Sequence, residues 1–253
     1  MTSDLVLAVS GPATGRPVLV LHGGGGPATV APIAEHFAAS ALALLPTHPG
    51  WNGTPRPDGL TRIADLAIGY LRVLRDRGLS DVLVVGSSLG GWIGAEMAAA
   101  DTEGLISGLA LVDAVGIEVE EEPVRDFFAL DARGVATYAY YDSERFYVAP
   151  EDLPAERRAA MAGNMAALRL FAGGPAMADP SLRARLAQVA TPALVLWGEA
   201  DRIVTPAYGS AYAAAFENAR FATVPQAGHL PHLERPERTF ALLDAFAAET
   251  RRA

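Results

Sequence analysis

The sequence predicts an α/β protein with one mostly parallel central sheet of about seven to eight strands, covered by helices on both faces, and three observations carry that expectation. Apolar runs of strand length recur at Pro17–Leu21, Val82–Val85, Ile106–Val112 and Ala193–Trp197, as expected of strands buried on both faces. Segments of helical spacing lie between them, among them Leu60–Arg77, apolar at 63, 66, 67, 70, 71 and 74. The run at Val82 passes through Gly86-Ser87-Ser88-Leu89-Gly90 into a helical segment, Trp92–Ala98, which makes the turn between strand and helix very tight.

The chain has 253 residues, 51% hydrophobic and 19% charged, enough for a large single core. Its net charge of -9 and the lack of a Lys/Arg cluster argue against nucleic acid as a partner. Without cysteine, disulfides, thiolate metal sites and a cysteine nucleophile are excluded. The start, Met1-Thr2-Ser3-Asp4-Leu5, has no basic region followed by an apolar stretch, and no apolar run reaches membrane-spanning length. The expectation is a cytoplasmic protein without a membrane segment.

In chain order, Leu5–Val9 reads as a first strand and Pro17–Leu21 as a second, ending at His22-Gly23-Gly24-Gly25-Gly26. No Gly-Lys-Ser/Thr follows, and the dinucleotide spacing is absent, so this is not a phosphate loop. Four glycines supply exposed backbone N–H groups and room for a substrate. Ala31–Ala39 reads as a helix, Ala41–Leu45 as a strand, and 46–55 as a turn-rich loop in which Trp51 either packs or walls a site. After the strand Ile106–Asp113 the alternation breaks. An insertion from about Val115 to Ala190 opens with the acidic run Glu118–Glu122, expected to be a solvated face. It then carries Phe127, Phe128, Tyr138, Tyr140, Tyr141, Phe146 and Tyr147, expected to form a small core of its own and an apolar underside. The sheet resumes at Ala193–Trp197, followed by a helix from Pro206 to Phe216, the strand Ala219–Val224 and a closing helix, Arg235–Ala248.

Gly-x-Ser-x-Gly around Ser88 lets strand and helix backbones approach closely and tolerates a strained serine, which would hold its hydroxyl above the sheet edge at a helix N-terminus. Ser87 is the weaker candidate, because glycines do not flank it at two residues on both sides.

Ser88, Asp201 and His229 follow one another in the order nucleophile, acid, histidine, each just after an expected strand, with His22-Gly23-Gly24 ahead of them all. This pattern resembles the α/β-hydrolase superfamily over nearly the whole chain. The resemblance implies a core domain of residues 1–115 and 191–253, with 116–190 as a helical cap or lid. It implies Ser88, Asp201 and His229 as the catalytic triad and the Gly24 and Leu89 N–H groups as the oxyanion hole. Asp113 also follows a strand, where the superfamily sometimes places its acid; Asp201 is expected to serve, with Asp113 capping the strand end or the cap hinge. His22 is expected to hold its loop by a local hydrogen bond, and His232 to be a packed surface histidine. One departure is visible: there is room for only one strand before the oxyanion strand, so seven strands are expected rather than eight.

The expected activity is hydrolysis of a carboxylic ester or lactone with an apolar body through an acyl-serine. Hydrolysis of a carbon-carbon bond in a diketone, and a ligand receptor with slow or no turnover, are the alternatives. Trp51, Phe128, Tyr138 and Tyr141 are the expected substrate contacts. A serine nucleophile disfavours the dehalogenase and epoxide-hydrolase chemistries, and neither a metal nor an organic cofactor is required. The expected partner is a small apolar ester, lactone or ketone.

Overall fold

The computed structural model describes residues 5–252; Met1–Asp4, part of the stretch that carried the reading of the N-terminus, lie outside the described residues. Seven strands form one sheet in the order β1-β3-β2-β4-β5-β6-β7. These are β1 (Leu7–Ser10), β2 (Pro17–Leu21), β3 (Leu42–Pro46), β4 (Val82–Ser87), β5 (Ile106–Val112), β6 (Ala193–Gly198) and β7 (Ala219–Val224). Only β1 runs antiparallel, along β3, which agrees with a single strand preceding β2.

The side-chain alternation explains why the inner strands are apolar throughout. Leu19, Leu21, Val82, Val84, Leu109, Leu111, Val195 and Trp197 enter one buried cluster. Their neighbours Val18, Val20, Leu83, Val85, Ala110, Val112, Leu194 and Leu196 enter another on the opposite face. The first cluster is closed by α2 (Ile63–Asp76), α3 (Leu89–Ala100) and α8 (Pro206–Ala213), the second by α1 (Ala31–Ala38) and α10 (Pro236–Glu249). The short helix α9 (Pro231–Glu234) precedes α10.

Between β5 and β6 the chain makes a detour through α4 (Ala132–Ala139), α5 (Ser143–Phe146) and α6 (Ala155–Ala172) before α7 (Leu182–Leu186). Gly116 and Ala178 pair in an isolated bridge, and the Asp179 N–H donates to the Gly116 carbonyl at 2.9 Å. The outgoing and returning chains therefore meet at one point. Just beyond it, Arg185 of α7 grips the buried Glu96 carboxylate of α3 with two hydrogen bonds of 2.7 and 2.8 Å, the bidentate geometry that makes such pairs strong.

Candidate active site

Ser88 stands between β4 and α3 with φ 54° and ψ -119°, a backbone conformation that costs on the order of 1–3 kcal/mol and persists only when its surroundings impose it. The surroundings do impose it. The Ser88 N–H donates to the Val112 carbonyl at 2.9 Å, and its own carbonyl accepts from Gly91 and Trp92. The flanking glycines are required by contact: a Cβ on Gly86 would overlap the Gly90 carbonyl, and one on Gly90 would overlap the Leu21 carbonyl. The Gly-x-Ser-x-Gly spacing thus records two close backbone approaches. Ser87 is buried with its hydroxyl unpartnered, whereas Ser88 keeps partial access to solvent.

The glycine loop after β2 comes up beside this turn. A Cβ at Gly23 would sit 2.9 Å from the Ser88 Cβ and 3.5 Å from its Oγ. Among the described residues, no acceptor pairs with the N–H of Gly24 or of Leu89. A buried network holds the loop from below. His22 binds the Gly23 carbonyl through Nδ1 at 2.7 Å, the local bond expected from the sequence, and its Nε2 accepts the His48 N–H at 3.0 Å. His48 in turn binds the His22 carbonyl through Nε2 at 2.9 Å and the Tyr70 hydroxyl through Nδ1 at 2.5 Å. These bonds assign the protons: Nδ1–H on His22, Nε2–H on His48, and the Tyr70 hydroxyl as donor. Burial holds both imidazoles neutral, lowering His22 well below its ordinary value and His48 to about 4.

From above, α6 lies on the same loop. Its Leu168 side chain is 2.6 Å from where a Gly24 Cβ would be. The buried Asn164 accepts the Asn52 N–H at 2.7 Å and donates to the Asn52 side chain at 3.0 Å. Trp51 is fully buried; its indole N–H donates to the Gly24 carbonyl at 3.0 Å and its ring stacks on Phe171 of α6.

On the far side, Asp201 and His229 meet at 2.7 Å, Oδ2 to Nδ1. The other Asp201 oxygen accepts the N–H groups of Ile203 at 2.8 Å and Val204 at 3.1 Å. The His229 N–H donates to the Ala139 carbonyl at the end of α4 at 2.6 Å. Beside it, the buried Glu234 carboxylate accepts from Gly228 at 2.6 Å and from the Tyr141 and Asp142 N–H groups at 3.0 and 3.1 Å. The histidine loop and the α4–α5 connection are tied together by that one carboxylate. Asp113 is also fully buried nearby, but its Oδ1 accepts from the Gly198 N–H at 2.9 Å, and Asp201 is the acid that reaches the ring of His229.

Several expected placements change. His232 is packed, but not at the surface: it is buried, bonds the Thr29 carbonyl through Nε2 at 2.8 Å, and is lowered to about 4 by burial. Trp51 does not present its face as an open wall, because the indole is spent on Gly24 and Phe171. Phe128, Tyr138 and Tyr141 each lie against arginine: Phe128 under Arg169, Tyr138 between Arg125 and Arg202, and the half-exposed Tyr141 under Arg235. The acidic run is largely exposed, with Glu122 accepting from the Thr205 hydroxyl at 2.7 Å. Besides Trp51, the residues that meet the site elements are ones the sequence did not mark for that role: Asn164 and Leu168 of α6, His48, Tyr70 and Glu234. Asn164 carried a faint signal, a polar residue in the buried stripe with Ala167, Leu168 and Phe171.

A family model described as "Alpha/beta hydrolase family" matches residues 18–242. BpoC of Mycobacterium tuberculosis, which carries the name of a non-heme bromoperoxidase, is 29% identical over 267 aligned residues, covering 96% of this chain and 98% of its own. A thermophilic esterase from Thermogutta terrifontis superposes with a TM-score of 0.78 at 22% identity, covering 98% of this chain and 94% of that one. A meta-cleavage product hydrolase from Pseudomonas fluorescens IP01 superposes with a TM-score of 0.78 at 16% identity, covering 97% and 94%. The chain belongs to the alpha/beta hydrolase family.

Proposed function

We propose that this member of the alpha/beta hydrolase family is a serine hydrolase that cleaves a carboxylic ester or lactone with an apolar body through an acyl-serine intermediate. The observation that carries the reading is the strained backbone of Ser88 at the head of α3, in a fold that also presents a buried Asp201–His229 pair. A serine meant only to turn the chain needs neither strain nor such a pair.

The chemistry follows from the donors already assigned. With Nδ1–H of His229 given to Asp201, Nε2 is left to accept the Ser88 proton as Oγ attacks the carbonyl carbon. Ionised Asp201 stabilises the imidazolium that forms. The tetrahedral oxyanion binds the uncommitted N–H groups of Gly24 and Leu89, each worth about 3 kcal/mol of transition-state stabilisation in related cases. His229 then returns the proton to the departing alcohol, and water repeats the sequence to release the acid. The segment between β5 and β6 acts as the cap, and the apolar side chain of Leu168 over Gly24 supports an apolar acyl or alcohol group.

The test is multiple turnover on a panel of acyl esters, aryl esters and lactones, with labelling by a fluorophosphonate. Ser88→Ala is expected to fold, lose roughly 10³-fold or more in kcat, and resist the label. Equal labelling of the variant would remove Ser88 from the role.

A further inference from the structure

Asp113 takes no part in the scheme above, yet its carboxyl is fully buried beside it. The residue directly follows β5 with φ 47°, a left-handed conformation, and its N–H is fixed on the Leu196 carbonyl at 3.0 Å. Its Oδ1 accepts from Gly198, whereas its Oδ2 is enclosed without a donor among the described residues. One oxygen of Asp113, one of Asp201 and one ring nitrogen of His229 lie within 4.8 Å of one another.

Two enclosed carboxyls this close raise the cost of a charge on Asp113, and the hydrogen bonds do little to offset it. Asp201 receives three donors, from Ile203, Val204 and His229. Asp113 receives only the Gly198 N–H. Burial first, then the Asp201 charge and that of Glu234 hold Asp113 well above the ordinary carboxylate range; the Gly198 N–H opposes them. A proton on Oδ2 also turns the atom without a partner into a donor. The same three groups have the makings of a cation site, but the Asp201 oxygens already serve His229 and two backbone N–H groups.

We propose that Asp113 is a positioning residue that stays protonated while the enzyme works, its carboxylic acid O–H donating to the Asp201 carboxylate and holding that carboxylate against His229. The proposal rests on the serine-hydrolase reading for its kinetic consequence, but the proton on Asp113 can be observed without turnover.

Infrared difference spectra between wild type and Asp113→Asn at neutral pH supply that observation. The expected result is a carboxylic-acid C=O stretch, sensitive to deuterium exchange, present in wild type and in Ser88→Ala and missing from Asp113→Asn. Asparagine keeps an oxygen for Gly198 and an N–H for Asp201, so its kcat should stay within about threefold of wild type with the acid limb of the pH profile unmoved. Asp113→Ala, which keeps neither, should lower kcat by about tenfold or more at unchanged KM. Absence of the band from wild type would overturn the proposal, as would an Asp113→Asn enzyme that loses orders of magnitude in kcat. Should Asp113→Asn fail to fold, the wild-type band followed upward in pH decides: it must persist beyond the range in which ordinary carboxyls ionise. Labelling of Ser88→Ala by the phosphonate would refute the nucleophile and leave the infrared result standing.

Discussion

Trp51 donates its indole N–H to the carbonyl of Gly24 across 3.0 Å, so the peptide that follows the proposed oxyanion donor is held by a residue 27 positions away. A carbonyl held by Trp51 restricts rotation about the Gly24 backbone, whose own N–H must aim at substrate. Trp51→Phe keeps a ring to stack on Phe171 but removes the donor. It is expected to fold, to lower kcat by about ten- to a hundredfold through misplacement of the Gly24 peptide, and to leave KM nearly unchanged. A loss confined to KM, measured on the same ester, would return Trp51 to the role of substrate wall.

Asp201→Asn should keep the volume of the site and lose the charge that orients His229. An effect of about 10⁴ in kcat is seen for the corresponding change in the serine-protease triad, where the wrong imidazole tautomer is favoured. The expected outcome here is a loss of orders of magnitude with little change in melting temperature. Near-normal turnover would identify a different acid.

Three buried histidines make the fold sensitive to acid. His48 and His232 are each lowered to about 4, and His22 well below its usual value, in every case chiefly by burial. Because the folded values lie below the unfolded one, the unfolded chain binds more protons as pH falls. Stability is therefore full above about pH 6.5 and declines as pH falls from there toward about 4, by on the order of 3 kcal/mol each for His48 and His232. Thermal melts across that range should show the decline. In His232→Asn, the fall relative to wild type should be visibly shallower.

Asp113 acts on stability in the opposite pH direction. Its folded value lies above the unfolded one, so the folded chain holds the extra proton and stability erodes as pH rises above the unfolded value near 4. Asp113→Asn should therefore gain in melting temperature relative to wild type as pH rises from about 4 toward 8, and a constant difference would count against a raised Asp113.

Glu234 offers a test of the tie between the histidine loop and the segment after α4. Glu234→Gln replaces one acceptor with an NH₂ that must face the Gly228 N–H or those of Tyr141 and Asp142, at a cost of about 1–3 kcal/mol for each buried group left unpaired. Both a lower melting temperature and a fall in kcat of about tenfold are expected, since the residue directly after Gly228 is His229. Unchanged kcat in a destabilised variant would separate the tie from His229.

The sheet was legible because each inner strand is apolar on both faces, a pattern that solvent-exposed strands do not show. The Ser88 turn was legible because two backbone collisions demand glycine at 86 and 90, a constraint that writes itself into the sequence. Asp113 and Asp201 were harder to separate. Both follow strands, and only the tertiary path of the histidine loop decides which one meets the His229 ring. The arginine partners of Phe128 and Tyr141 were not legible for a related reason: Arg169 and Arg235 lie far along the chain, and no spacing announces them. His48 and Tyr70 were invisible as supports of the glycine loop, being single residues joined to His22 only by folding.

The clasp at Gly116 and Ala178 bears on how this chain can change over generations. The stretch between the two residues leaves and rejoins the fold at one point, while α7 beyond it stays anchored to Glu96 and the register of Leu109 against Ala193 is set outside the detour. Lengthening such a closed excursion is cheap, about 0.6 kcal/mol for each doubling. Descendants are thus free to trade the stretch for a shorter, longer or unrelated one without disturbing the strands that carry Ser88 and Asp201. What they give up in doing so is the grip of Ala139 on His229 and of Asn164 on the 51–53 turn, so each exchange must supply its own substitute for those two attachments.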